Sequence, residues 1–229
     1  MPILSPLMRI LHKPVYGARL RALVGVIEPL LIGGDHVLDV GCGYGQLGRA
    51  LAEKCGRARP IEVEGLERVK RGGELIPVKE YDGKTIPAPD AAYDVVILAD
   101  VLHHEADPHR LLSECLRVSR RLVVIKDHAV EGPMAQRRIA LIDWAANAPY
   151  GVPCLYRYNT VEQWRAWAAK HGARIADEHT SMNLYPPLVN LLFGRRLQYL
   201  AVWERAGAPV KRPLKDSMRG ISERLERKA

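Results

Sequence analysis

Residues Val37 to Gly45 read VLDVGCGYG, an apolar run, an acid and then three glycines at alternate positions, and QLGRALAE follows with helical spacing. An apolar run of that length is a buried strand, so the segment predicts a strand, a glycine loop and a helix in succession. Glycine has no Cβ and accepts positive φ, which lets the loop backbone approach a bound ligand. The helix start offers free N–H groups to it.

Downstream of this unit, strand-like and helix-like segments alternate without an internal repeat. That alternation specifies an α/β protein with helices on both faces of one sheet. The 229 residues, 48% of them apolar, suit a single core. The spacing predicts a helix over Val15 to Leu31, a strand over His36 to Val40 and a helix over Gln46 to Cys55. Further strands are expected at Ile61 to Leu66, Leu75 to Tyr81, Tyr93 to Ala99 and Arg121 to Lys126. The Arg-Gly-Gly at 71–73 leaves little room for a full helix between the second and third strands. Asp107 before Pro108 marks a helix start ending near Val118. Pro133 to Asn147 is amphipathic, and Thr160 to Gln163 fits a capping box for a helix reaching Lys170 and stopped by Gly172. The last strands, near Arg174 to His179 and Gln198 to Trp203, are expected to pair antiparallel with no helix between them. The fold class is therefore a doubly wound, mostly parallel seven-stranded sheet with an antiparallel final strand. Its organisation is a helical segment at 1–35, the domain proper at 36–205 and a frayed basic tail at 206–229.

The formal charge of +8 lies at the ends: residues 1–24 contribute +4 and residues 206–229, with seven basic and three acidic side chains, another +4. A protein that grips nucleic acid carries its positive charge across one face, so nucleic acid is not expected as a partner. Solvated termini and contact with an anionic membrane surface both fit the pattern. No stretch is long and apolar enough to span a bilayer, and the N-terminus lacks a small-residue cleavage site. Cys42, Cys55, Cys115 and Cys154 show neither CxxC spacing nor a disulfide framework, which points to free thiols in a reducing cytoplasm.

Two ligands compete for the glycine loop. Gly43, Gly45 and Gly48 fit GxGxxG and Glu67 lies 24 residues past Gly43, as in a dinucleotide-binding unit. Against this, Asp39 sits within the strand, where its carboxylate either orients the loop or meets a cationic ligand group; a pyrophosphate has none. VLDVGCGYG resembles the first motif of the class I S-adenosylmethionine-dependent methyltransferases. GLE at 65–67, YDGKTIPAP at 81–89 and YDVVILADVLHH at 93–104, followed by DPHRLLSECLRVSRRLVV, resemble their later strand ends. The branch is that of quinone-pathway and other small-molecule methyltransferases.

The resemblance, which covers about Val37 to Asp127, implies S-adenosylmethionine as cofactor. By it, Asp39, Gly41, Cys42, Gly43 and Gly45 surround the methionine end, Glu67 binds the ribose hydroxyls, and Asp82 with Gly83 meets the adenine amine. Asp100, Val101 and His103 line the methionine moiety, which leaves His104 as the acceptor contact. Cys42 also reads as a small filler between glycines, and Asp82 as a turn residue. Methyl transfer from a sulfonium releases a neutral leaving group, so the protein has to align the nucleophile and, for a phenol, enol or acidic carbon, accept its proton. His104, Asp127 and His128 are the candidate catalytic groups; Asp127 and His128 also read as a strand-end pair. No third ligand stands at a metal-binding spacing beside His103 and His104. Trp144, Asn147, Tyr150, Tyr156 and Tyr158 suggest an enclosed apolar or aromatic acceptor. The remaining functional classes are an NAD(P)-dependent oxidoreductase and a non-catalytic cofactor-binding module.

Overall fold

The computed structural model describes residues 4–147 and 154–205, with side chains from Pro14 onward. The proposed tail at 206–229 and Tyr150 lie outside the described residues.

Seven strands form one sheet: β1 His36–Val40, β2 Glu62–Glu67, β3 Val78–Glu80, β4 Tyr93–Ala99, β5 Ser119–His128, β6 Ala173–His179 and β7 Gln198–Arg205. Their order is β3-β2-β1-β4-β5-β7-β6. β1, β2, β3, β4 and β5 pair in parallel, and β7 runs antiparallel to both β5 and β6. Six strands thus share one direction and the last opposes them.

The central strands are apolar because they are covered on both faces; every residue of YDVVILA up to Leu98 is buried. On one face Leu38, Val96, Leu98, Val123 and Ile125 pack under α3 (Pro108–Val118) and α5 (Val161–Lys170), with Trp164 stacked on Tyr199. On the other, Val37, Val95, Ile97 and Val124 pack under Leu23, Val26 and Ile27 of α1 (Leu4–Ile27) and Leu51 of α2 (Gln46–Cys55). The expected caps form: Asp107 accepts from Arg110 N at 3.0 Å, and Thr160 and Gln163 close a reciprocal box. Removing such a cap costs about 1 kcal/mol.

Three local expectations are corrected. α1 begins at Leu4 and runs through Pro14 to Ile27, where Glu28–Leu30 tighten into a 3₁₀ turn, so it starts earlier and ends sooner than Val15 to Leu31. β3 is only Val78–Glu80, because Leu75 and Ile76 are drawn toward the glycine loop: Leu75 N donates to Tyr44 O at 2.9 Å. The connection between β6 and β7 contains a helix, α6 (Pro187–Phe193), which packs against α4 (Ala135–Asn147). Pro187 occupies its first turn, where a missing N–H costs nothing, so the double proline starts a helix here. Leu188, Leu191 and Leu192 of α6 are exposed. No helix among the described residues is long and apolar enough to cross a membrane.

Candidate functional site

Chain direction from β1 runs outward through β2 to β3 and then returns to β4 on the other side of β1. The crevice between β1 and β4 is therefore the switch point of the sheet, and ligands bind such sheets beyond the carboxyl ends of the strands there. Glu67, Asp100, Asp127 and His128 all stand at or just past such ends.

The loop after β1 is held open by glycine. Gly41, Gly43 and Gly45 have φ of 67°, 60° and 76°. A Cβ on Gly41 would lie 2.6 Å from Val101 Cγ2, and one on Gly45 would collide with Ile76. Cys42 fills the space that the missing side chain of Gly65 leaves in β2, and burial pushes its thiol up to about 12, so it is an inert filler. Glu67, at the end of β2, accepts the Gly43 N–H at 2.6 Å, tying the second strand to the loop. Arg71 stands 3.7 Å from the same Glu67 oxygen and faces the Tyr44 ring.

Asp39 is 2% exposed, and its Oδ2 has no hydrogen-bond partner among the described residues. Burial is the main cause that raises its carboxyl to about 7, the negative Glu67 adds to it, and the Gly48 backbone N–H and Arg19 oppose it. A buried acid with a vacant oxygen beside a glycine cradle fits a ligand with a cationic end. Asp100 follows β4 with φ of 60°, an unusual conformation for a non-glycine residue. It accepts from Arg19 Nη2 at 2.6 Å and from the buried Lys126. Burial works against its charge, but Lys126 and Arg19 outweigh that and hold the carboxyl well below the usual range. Arg19 thereby fastens α1 over the crevice.

Asp82 is exposed, and its Oδ1 accepts from the backbone of Lys84 and Thr85 at 2.8 Å each, which makes the turn. Gly83, with φ of 74°, gives room to the Arg68 guanidinium.

The second half of the crevice is an imidazole and carboxylate cluster. His103 and His104 sit on a short 3₁₀ turn after β4, with ring centroids 4.1 Å apart. His103 Nδ1 is 2.7 Å from Asp127 Oδ1, which also accepts the His128 N–H. His103 Nε2 is 3.5 Å and His104 Nε2 3.6 Å from Asp143 Oδ1. Asp143 comes from α4; its Oδ2 accepts from Tyr158 at 2.6 Å and its Oδ1 from Asn147 Nδ2 at 2.7 Å. Burial opposes charge on His103, yet Asp127 and Asp143 carry its pKa up to about 10. The same pairing brings Asp143 down to about 2 against its own burial. His128 is buried behind them; burial and Lys126 lower it to about 4, and its Nδ1 lies 3.3 Å from the Leu197 carbonyl. Of the three histidines, His104 is the one with partial exposure, at 17% of its side chain.

Sequence spacing singles out His103, His104, Asp127 and His128, and the fold does bring these four together. Asp143 and Arg19 were not among the expected site residues. The only trace of Asp143 in the sequence is its four-residue spacing from Asn147 on one face of an otherwise ordinary amphipathic helix.

Residues 38–123 match the family model described as a methyltransferase domain. That stretch, fewer than half of the residues of the chain, is similar to a methyltransferase domain. A ubiquinone/menaquinone biosynthesis C-methyltransferase UbiE of Bordetella avium is 30% identical over 114 residues, which cover 44% of this chain and 44% of that protein. A ubiquinone biosynthesis O-methyltransferase of Cronobacter sakazakii is 32% identical over 92 residues, covering 37% of this chain and 38% of the relative. The chain thus spans less than half the length of these relatives. Among solved structures, magnesium protoporphyrin IX methyltransferase from Synechocystis, crystallised with S-adenosylhomocysteine, is similar in fold. Its TM-score is 0.58 at 17% identity, with 86% of this chain and 87% of that one covered. The glycine cradle, the Asp39 oxygen and Glu67 suit S-adenosylmethionine as a ligand.

Proposed function

We propose that this protein transfers the methyl group of S-adenosylmethionine to an oxygen or carbon of a small, apolar or aromatic acceptor. The observation that carries this reading is the meeting of two unlike half-sites at the end of β4. The acid-lined glycine crevice ends at Asp100, and the imidazole cluster begins at His103.

On the cofactor side, Asp39, Gly41, Cys42, Gly43 and Gly45 take the methionine end, while Asp100, Val101 and His103 form its floor. Arg19, with Asp39 and Asp100, offers both signs of charge to a zwitterionic amino acid. Glu67 takes the ribose diol. Asp82 and Gly83 border the adenine, with the Asp82 side chain shaping the turn. When bound, the cofactor supplies an electrophilic methyl on a sulfonium. The residues align the nucleophile in line with it and keep water out.

On the acceptor side, His104 contacts the nucleophilic atom. Asp127 acts as a positioning residue by holding His103, and His128 packs behind that pair. An O–H or acidic C–H must lose its proton, and this cluster is where its conjugate base is held. Trp144 and Tyr156, both partly exposed, and Tyr158 on Asp143 favour an apolar or aromatic acceptor. The relatives named above serve ubiquinone and menaquinone biosynthesis, and they support a small molecule over a macromolecule. Cytoplasmic placement belongs to the same reading, supported by four cysteines that form no disulfide among the described residues. Peripheral membrane contact is supported by the exposed leucines of α6.

Incubating the protein with a metabolite extract and cofactor carrying an isotopically labelled methyl group tests this reading. Mass spectrometry is expected to find the label in a small apolar molecule. Label in protein or nucleic acid, or in nothing, would overturn it.

A further inference from the structure

His103 and His104 reach the crevice from β4, and α4 brings Asp143 against them from the facing wall. His103 Nε2 and His104 Nε2 lie 3.5 and 3.6 Å from Asp143 Oδ1, and the three donor atoms all fall within 4.8 Å of one another. In a tetrahedral zinc site with bonds near 2.0–2.1 Å, neighbouring ligand atoms are roughly 3.4 Å apart. The cluster is thus close to coordinating distance as it stands.

The groups behind the donors are those that orient ligands at metal centres. Asp127 holds the far nitrogen of His103 at 2.7 Å, which keeps a proton on Nδ1 when an ion displaces the one on Nε2 facing Asp143. Tyr158 holds the far oxygen of Asp143 at 2.6 Å. Asn147 Nδ2 stands 2.7 Å from Asp143 Oδ1 and 3.4 Å from His104 Nε2, where a turn of its amide would present an oxygen as a further donor. His103 and Asp143 are buried while His104 is partly exposed, so the group is closed on one side and reachable from solvent at His104. Catalytic metal sites keep such an open position.

We propose that His103, His104 and Asp143 bind one divalent transition-metal ion, with the open coordination position facing the methyl acceptor. Two imidazoles and one carboxylate suit zinc and its neighbours, whereas magnesium and calcium prefer oxygen alone. The inference deepens the acceptor-side reading above and rests on it. An acceptor hydroxyl bound to the ion gives up its proton to solvent more readily, and the ion holds the resulting oxyanion. The oxyanion forms its bond to the methyl carbon as the carbon–sulfur bond breaks. The acceptor O–H and the sulfonium become a methyl ether, neutral S-adenosylhomocysteine and one released proton. His104 serves as a ligand in this step.

The test is a calorimetric titration of the full chain, stripped with a chelator, with zinc(II), and a parallel titration with cobalt(II) followed by visible absorption. One equivalent of zinc is expected with micromolar or tighter affinity, and cobalt should develop the visible bands of a low-coordinate site. His104→Ala and Asp143→Ala should each weaken zinc binding at least tenfold. If Asp143→Ala does not fold, the partly exposed His104→Ala, checked by its melting curve, decides the outcome alone. Failure of the wild-type protein to take up a stoichiometric ion overturns the proposal. So does uptake that the folded variants leave undiminished. S-adenosylhomocysteine binding, measured on the same samples, tests the cofactor reading separately from the metal.

Discussion

Replacing Glu67 by alanine is expected to weaken S-adenosylhomocysteine binding by about a hundredfold or more, while the fold survives. Glu67 Oε1 fixes the Gly43 N–H at 2.6 Å, and under the proposed reading its carboxylate at the end of β2 also takes the ribose diol. A hydrogen bond to a charged group contributes about 1.5–3 kcal/mol, and two of them amount to roughly two to four powers of ten in affinity. The loss of stability should be small, because Glu67 lies at the crevice rim outside the apolar clusters. Glu67→Gln keeps an acceptor for Gly43 but loses the charge, so it should fall between wild type and Glu67→Ala. Calorimetric titration checks the series, and an unaltered affinity in Glu67→Ala would remove the residue from the site.

Cofactor affinity should also fall as the solution is acidified, by up to tenfold for each pH unit below about 7 and about fiftyfold between pH 7 and 5. Burial first, and then the neighbouring negative Glu67, raise the Asp39 carboxyl to about 7 in the empty protein. A cationic ligand group favours the ionised form, so at lower pH binding has to expel a proton. Stability of the ligand-free protein has the opposite slope. A carboxyl whose folded pKa is raised binds a proton in the folded state that the unfolded chain has already lost. Its contribution is therefore greatest at and below the ordinary value near 3.8 and declines as pH rises toward 7. Asp39→Asn should flatten the affinity profile over this range and bind more weakly than wild type at pH 8. An affinity that stays level from pH 7 to 5 in the wild-type protein would show that Asp39 does not meet a cation.

Legibility of the sequence was greatest where structure is local. The run from Val37 to Gly45 and the strand at 93–99 fix their own conformation through apolar continuity, glycine φ and burial on both sides. The caps at Asp107 and Thr160 are equally local. Proline misleads in both directions: Pro14 sits inside α1, and Pro187 begins α6. Both outcomes depend on what the helix packs against, which periodicity does not record. The glycine loop and Glu67 follow from one contiguous stretch of chain. The histidine cluster does not, because Asp143 arrives from a helix about 40 residues beyond His104, and its burial depends on α4 closing over the histidines. Arg19 likewise becomes a partner of Asp100 only when α1 lies across the carboxyl ends of the strands.

The central claim, that the glycine loop and the acids of β1 and β2 hold a sulfonium nucleoside, is tested most directly by titrating the wild-type protein with S-adenosylhomocysteine and, separately, with NADH. The account predicts saturable one-to-one binding of S-adenosylhomocysteine and no heat from NADH. Binding of NADH with none of S-adenosylhomocysteine would contradict it.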